Sequence, residues 1–158
     1  MIRNYVLLTL ALLVFASAAN AQKLTGVWSL NEVKTSGTGA ETRKMTQPSM
    51  YLFTKRHYSI IFVNGDKARS SDPASKMTAE QLYNTYVDGF IANAGTYDVK
   101  SGTLTMHVMV AKSPSFMAGG NWVSYKVSIK GNTMTLVDLA DNTGPDKEPS
   151  TYTLTRVE

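Results

Sequence analysis

Two histidines are the first candidates for chemistry in this sequence. His107 stands in the run Thr105-Met106-His107-Val108-Met109, where a neutral imidazole could meet a polar ligand group or pass a proton. The alternative is a buried histidine satisfied by a tyrosine or threonine, since a general base also needs a substrate within reach. His57 falls in Lys55-Arg56-His57, which reads as a solvated turn. Two histidines with no carboxylate at ligand spacing do not make a zinc site. Cysteine is absent, so thiolate metal sites, cysteine nucleophiles, disulfides and a lipid-modified N-terminal cysteine are all excluded. No nucleophile elbow, phosphate-binding loop or dinucleotide fingerprint occurs, and no cofactor is implied.

Carboxylates are few and fall mostly in turns; Glu32 and Asp138 are the ones within strand-like segments. Alternation would send Glu32 to the same side as Trp28, unless a bulge intervenes. A carboxylate near a barrel mouth could meet a polar ligand group; the alternative is a strand-end residue in water.

The richer signal is aromatic and thioether. Tyr51, Phe53, Tyr58, Ile60, Phe62, Tyr97, Met109, Trp122 and Tyr125 lie on strand-like segments. Tyrosine joins an apolar ring to a polar tip, which suits a pocket that is mostly apolar with a few fixed polar groups. Singly, each residue reads equally as core. Phe116 and Met117, in the glycine-ended loop 114–120, could form a lid or pack on a rim.

The elements that must position these side chains are mostly strands. Segments 24–33, 50–54, 58–64, 96–99, 103–110, 122–130, 133–139 and 151–157 carry apolar, aromatic and β-branched residues. Turn signals such as Asn64-Gly65-Asp66, Ser101-Gly102 and Gly131-Asn132 punctuate them. In 122–130 the period is two: Val123, Tyr125, Val127 and Ile129 share one face. One helix is expected near 79–92. Thr78-Ala79-Glu80-Gln81 is a capping box, Leu82, Tyr86, Phe90 and Ala94 recur every fourth residue, and Gly95 suits a stop. About eight strands in sequential hairpins favour an all-β, antiparallel up-and-down barrel, whose closure removes exposed edges.

Four segments then resemble the bacterial lipocalin-like domain family of the calycin group. Leu24-Thr25-Gly26-Val27-Trp28 matches a G-x-W first strand, and SMYLFTKRHYS from Ser49 resembles a paired second and third strand. FIANAGTYDV from Phe90 and TLTMHVMVAKSP from Thr103 resemble the helix exit and the strands beyond it. The resemblance implies a small barrel with an apolar interior and no single activity. It also implies an arginine near the last strand lying across the first-strand tryptophan. Arg156 stands at that place, which makes Trp28 and Arg156 structural residues.

The N-terminus reads as an export signal. Arg3 precedes an apolar core over 5–15, and Ala19-Asn20-Ala21 is an A-x-A cleavage site. The apolar stretch is shorter than the roughly 20 residues a spanning helix needs. Of 158 residues, removal of 21 leaves 137, starting at Gln22 and suited to one domain over 22–158. The net charge of +4, or +3 without Arg3, is scattered, which weighs against nucleic-acid binding. The expected role is a secreted or periplasmic barrel that binds a small hydrophobic or aromatic molecule. Its candidate contacts are Trp28, Tyr51, Phe53, Tyr58, Tyr97, His107, Met109, Phe116, Met117, Trp122 and Tyr125. A cofactor-free isomerase or cyclase and a solid-core interaction protein are the rivals; oligomeric state is left open.

Overall fold

The computed structural model describes residues 24–158, and the expected export signal over 1–21 lies outside them. Ten strands form in chain order: β1 Gly26–Lys34, β2 Thr42–Lys44, β3 Ser49–Phe53, β4 His57–Val63, β5 Phe90–Lys100, β6 Thr103–Ala111, β7 Trp122–Lys130, β8 Thr133–Asp141, β9 Gly144–Pro145 and β10 Thr151–Arg156. Eight of them close on themselves in the order β1-β3-β4-β5-β6-β7-β8-β10, with β10 returning to β1. The short β2 and β9 add to β1 and β8. All pairings are antiparallel, so the expected up-and-down barrel is the fold.

Alternation builds the core. Trp28 and Leu30, Tyr51 and Phe53, Tyr58 and Ile60, Leu104 and Met106, Met134 and Leu136 are buried pairs two residues apart, joined by Tyr97 and Leu154. One end of the barrel is plugged. Trp28 is fully buried and donates its indole N–H to the Leu24 carbonyl at 2.9 Å. The Arg156 guanidinium lies 4.1 Å from the Trp28 ring centroid and donates to the Thr25 carbonyl at 2.7 Å. Gly26 explains the glycine of G-x-W. With φ at +134°, it brings the backbone so near that a Cβ would stand 2.3 Å from the Glu158 carbonyl oxygen.

Three register shifts depart from simple alternation. Asn31 is the extra residue in β1, Met109 in β6 and Leu139 in β8. The first decides Glu32: beyond it Val33 is the buried residue, and Glu32 pairs with Lys44 on the barrel's outside.

The helix is shorter than expected. The Thr78–Gln81 capping box forms, with Gln81 N–H donating to Thr78 Oγ1 at 3.2 Å and Thr78 N–H to Gln81 Oε1 at 2.8 Å. Regular helix covers only Ala79–Leu82, widens to a π-type turn over Tyr83–Asp88, and stops at Gly89. A Cβ on Gly89 would lie 2.4 Å from the Asn84 carbonyl oxygen, so this exit requires glycine. Phe90 and Ala94, expected on the helix, belong to β5, and Gly95 lies in the strand rather than at a helix stop. The reason is parity: residues four apart share a face in a strand as well as in a helix, and pairing of β5 with both β4 and β6 decides between them. Segment 114–120 contains one helical turn, Pro114–Met117, whose carbonyls Ser115 and Phe116 accept from Asn121 Nδ2 at 3.0 and 3.1 Å. Among the described residues no helix is long and apolar enough to cross a membrane.

Candidate functional site

At the end away from Trp28 the barrel is not filled. A cavity of about 800 Å³ opens there. Tyr51 (β3), Ile60 and Phe62 (β4), Ile91 to Asn93 (β5), Ala111 (β6), Tyr125 (β7) and Tyr152 (β10) form its walls and floor. Tyr86 and Val87 of the π-type turn and Lys112 to Phe116 form its rim. The rim is tied together by Lys112. Its ammonium donates to the Val87 and Phe90 carbonyls, and its N–H donates to Ala92 at 2.8 Å. No carboxylate pairs with Lys112 among the described residues.

The floor is a cluster of phenols. Tyr51 and Phe62 stack at 6.0 Å and 18°, and Tyr125 meets Tyr152 edge to face at 6.0 Å and 83°. Tyr152 Oη donates to Asp138 Oδ2 at 3.4 Å, a long bond, and Ser150 N–H donates to the same oxygen at 3.0 Å. Tyr51 is 4% exposed, and its hydroxyl makes no hydrogen bond to another described residue. The hydroxyl of buried Tyr58 is likewise without a partner. Burial, reinforced by the neighbouring Tyr152 and Asp138, holds the Tyr51 hydroxyl well above the usual phenol range. Burial and then Asp138 push Tyr152 up to about 12. Tyr125 is raised well above its ordinary value by burial first and its tyrosine neighbours next. All of these phenols are therefore protonated donors at neutral pH. Burial also raises the Asp138 carboxyl above the usual range, against the bonds from Ser150 and Tyr152.

Tyr125 and Tyr152 also wall a second, polar cavity of about 600 Å³, bounded by Asp138, Asp141, Asp146 and Lys147 near the β8–β9 turn.

Of the candidate contacts, Tyr51, Tyr125 and Phe116 come together on the first cavity. Trp28, Phe53, Tyr58 and Tyr97 lie buried in the packed end instead; Phe53 and Tyr97 meet edge to face at 5.5 Å. His107 and Met109, expected within the barrel, are exposed. Leu104, Met106 and Val108 take the inward positions of β6, which turns His107 out to Asp98 Oδ2 at 3.1 Å, and Met109 is the bulged residue. Trp122 pairs with His107 across β6 and β7, away from the cavity lining, and Met117 is 40% exposed beside it. An acid–base role for His107 inside the barrel is lost with this placement. His57, expected in a turn, opens β4 and is exposed. Among the described residues no group of three or more histidines and carboxylates could hold a metal ion.

Tyr152 and Asp138 were the residues most open to discovery in the sequence. Tyr152 shares parity with Leu154 and Arg156, and Asp138 with Met134 and Leu136, so alternation turns both inward. Lys112 and Ile91 gave no such signal, because their roles depend on where the helix ends.

Comparison with known proteins agrees with this architecture. Residues 24–136 match the model of the lipocalin-like domain family. No curated protein matches the chain. Among solved structures, a lipocalin-like protein from Bacteroides uniformis is similar at 14% identity and a TM-score of 0.48. That likeness covers 85% of this chain and 98% of the other. An uncharacterized protein from Bacteroides eggerthii is similar at 14% identity and a TM-score of 0.46, covering 84% and 98%. With a closed eight-stranded barrel and a family match over most of its length, the chain belongs to the lipocalin-like domain family.

Proposed function

We propose that this protein is exported and binds a small, largely apolar or aromatic molecule at the barrel end opposite Trp28. The observation that carries the reading is the cavity of about 800 Å³ whose apolar walls end on the hydroxyl of buried Tyr51, which makes no hydrogen bond to another described residue. A barrel of about eight strands is just wide enough to be filled by side chains or to hold one small ligand. Here Trp28, Phe53 and Leu30 fill one end, while the other end is left to rings, aliphatic side chains and phenol donors. That argues against a solid-core interaction protein. Export is supported by the apolar core over 5–15 and the Ala19-Asn20-Ala21 site.

Native mass spectrometry of protein purified from its own host tests both parts. A small molecule should travel with a chain beginning at Gln22. A mass retaining 1–21 would refute export. For the pocket, an environment-sensitive aromatic dye should bind the wild type, and Ile91→Trp, which adds bulk on the wall, should displace it. Equal dye binding by a folded Ile91→Trp variant would refute the site. Intrinsic tryptophan emission is a poor reporter, since neither Trp28 nor Trp122 lines the cavity.

A further inference from the structure

We propose that the ligand carries a protonated amine, seated where the Tyr125 and Tyr152 rings meet Asp138. The inference rests on the pocket reading above and adds the chemistry of the head group.

Four observations point the same way. First, the Asp138 carboxylate is half-buried and forms no ion pair with any described residue. Its partners are neutral: the Ser150 N–H and side chain, and one phenol, Tyr152, at the long distance of 3.4 Å. A carboxylate partly removed from water without a cation carries part of the cost of burying a charge, and a cationic ligand would offset it.

Second, aromatic rings stand around the same place. Tyr125 and Tyr152 lie at 83° to one another, and such a corner presents ring faces to a cation. Tyr152, whose O–H donates a hydrogen bond to Asp138, keeps oxygen lone pairs that can accept from an ammonium N–H. Tyr51, 4% exposed and without a hydrogen-bond partner among the described residues, adds a further acceptor from the floor.

Third, the charge beyond the phenols is negative. Tyr125 and Tyr152 separate the apolar cavity from the polar one, where Asp138, Asp141 and Asp146 face a single Lys147. An apolar body in the first cavity would place a head at this partition.

Fourth, among the described residues the one charged side chain on the apolar cavity is Lys112, and it is held at the rim by the Val87 and Phe90 carbonyls. On the apolar side, no cation among the described residues therefore acts on the phenol floor, and Lys147 stands beyond the partition among three aspartates. A carboxylate or phosphate head there would meet Asp138, with Asp141 and Asp146 beyond it and Lys147 as the one basic side chain among them. A neutral hydroxyl would gain hydrogen bonds alone, whereas an ammonium gains hydrogen bonds, ring faces and an opposite charge.

Calorimetric titration of the full chain with 1-naphthylmethylamine, 1-naphthylmethanol and 1-naphthoate tests this, because the three share one apolar body. At neutral pH the amine should bind about tenfold or more tighter than the alcohol, with the carboxylate weakest. Asp138→Asn should abolish the preference for the amine and leave the alcohol within about twofold of wild type, since asparagine keeps an oxygen for Ser150 and Tyr152. If none of the three binds, the pocket reading falls and this inference with it. If the alcohol binds and the amine is no tighter, the pocket stands and the amine assignment is overturned. The wild-type comparison decides this even if Asp138→Asn does not fold. An amine preference that survives in a folded Asp138→Asn variant would also overturn it.

Discussion

Replacing Gly95 by alanine probes the wall of the cavity at its tightest seam. Gly95 faces Val108 in β6, beside the bulge at Met109. A Cβ there would lie 1.9 Å from the His107 carbonyl oxygen and 3.0 Å from the Met109 nitrogen, where ordinary contact begins near 3.4 Å. Both neighbours are backbone and cannot rotate away, so β5 and β6 must part by more than an ångström at this point. Overpacking of this kind costs about 1–3 kcal/mol. Leaving a ladder donor or acceptor unsatisfied adds about 1–3 kcal/mol. Together these give about 2–6 kcal/mol, a large share of the roughly 5–15 kcal/mol that holds a domain folded. Gly39→Ala is the matched control: no heavy atom lies within 4 Å of its Cβ, and it should be neutral or stabilising by about 0.4–1 kcal/mol. Urea unfolding followed by far-ultraviolet circular dichroism reads both variants. With a slope of about 1–3 kcal/mol/M, Gly95→Ala should lower the midpoint by roughly 1 M or more at unchanged slope. Because Ile91 to Asn93 and Ala111 to Phe116 extend from this seam into the cavity wall, dye binding should weaken too. A Gly95→Ala variant within about 0.5 kcal/mol of wild type, the usual range for surface changes, would refute the close approach of the two strands.

Trp28→Ala should cost about 3–5 kcal/mol by the same unfolding assay, as expected for a fully buried large aromatic. Arg156→Met, which keeps the stem and removes the cation over the ring, should cost about 0.5–2 kcal/mol. His107→Ala should leave titrations of all three naphthalene probes unchanged, because the imidazole faces Asp98 outside the barrel; a weakened affinity would put His107 back in the site. Asp138→Asn should stabilise the fold in a pH-dependent way. A carboxyl raised in the folded state contributes stability that is present below its ordinary range and lost as pH rises through the raised value. The variant lacks that loss, so its urea midpoint should match wild type most closely at about pH 3 and exceed it at about pH 7. A midpoint advantage that is the same at both pH values would contradict burial of the charge.

Much of the barrel was legible because strand alternation and turn chemistry are local. The run from Trp122 to Lys130 forms a strand with the expected bounds, and Ser101-Gly102 and Gly131-Asn132 turn where their conformational freedom permits. The capping box at Thr78 forms because its two hydrogen bonds join residues three apart. The place of Arg156 over Trp28 followed from the family pattern.

What tertiary structure alone decided turns on non-local pairing and volume. Phe90 and Ala94 suit a helix face and a strand face equally, and only the neighbours on both sides of β5 made them strand. One extra residue at Asn31 turns Glu32 out to Lys44, and another at Met109 breaks the alternation of β6; neither bulge is marked by a glycine within it. Whether the interior is open depends on the summed volume of side chains arriving from eight strands, which no single segment carries. The meeting of Tyr125, Tyr152 and Asp138 is of the same kind. Asp138 is bonded to its Tyr152 neighbour only because β8 pairs with β10 to close the barrel, while β7 brings Tyr125 from the other side.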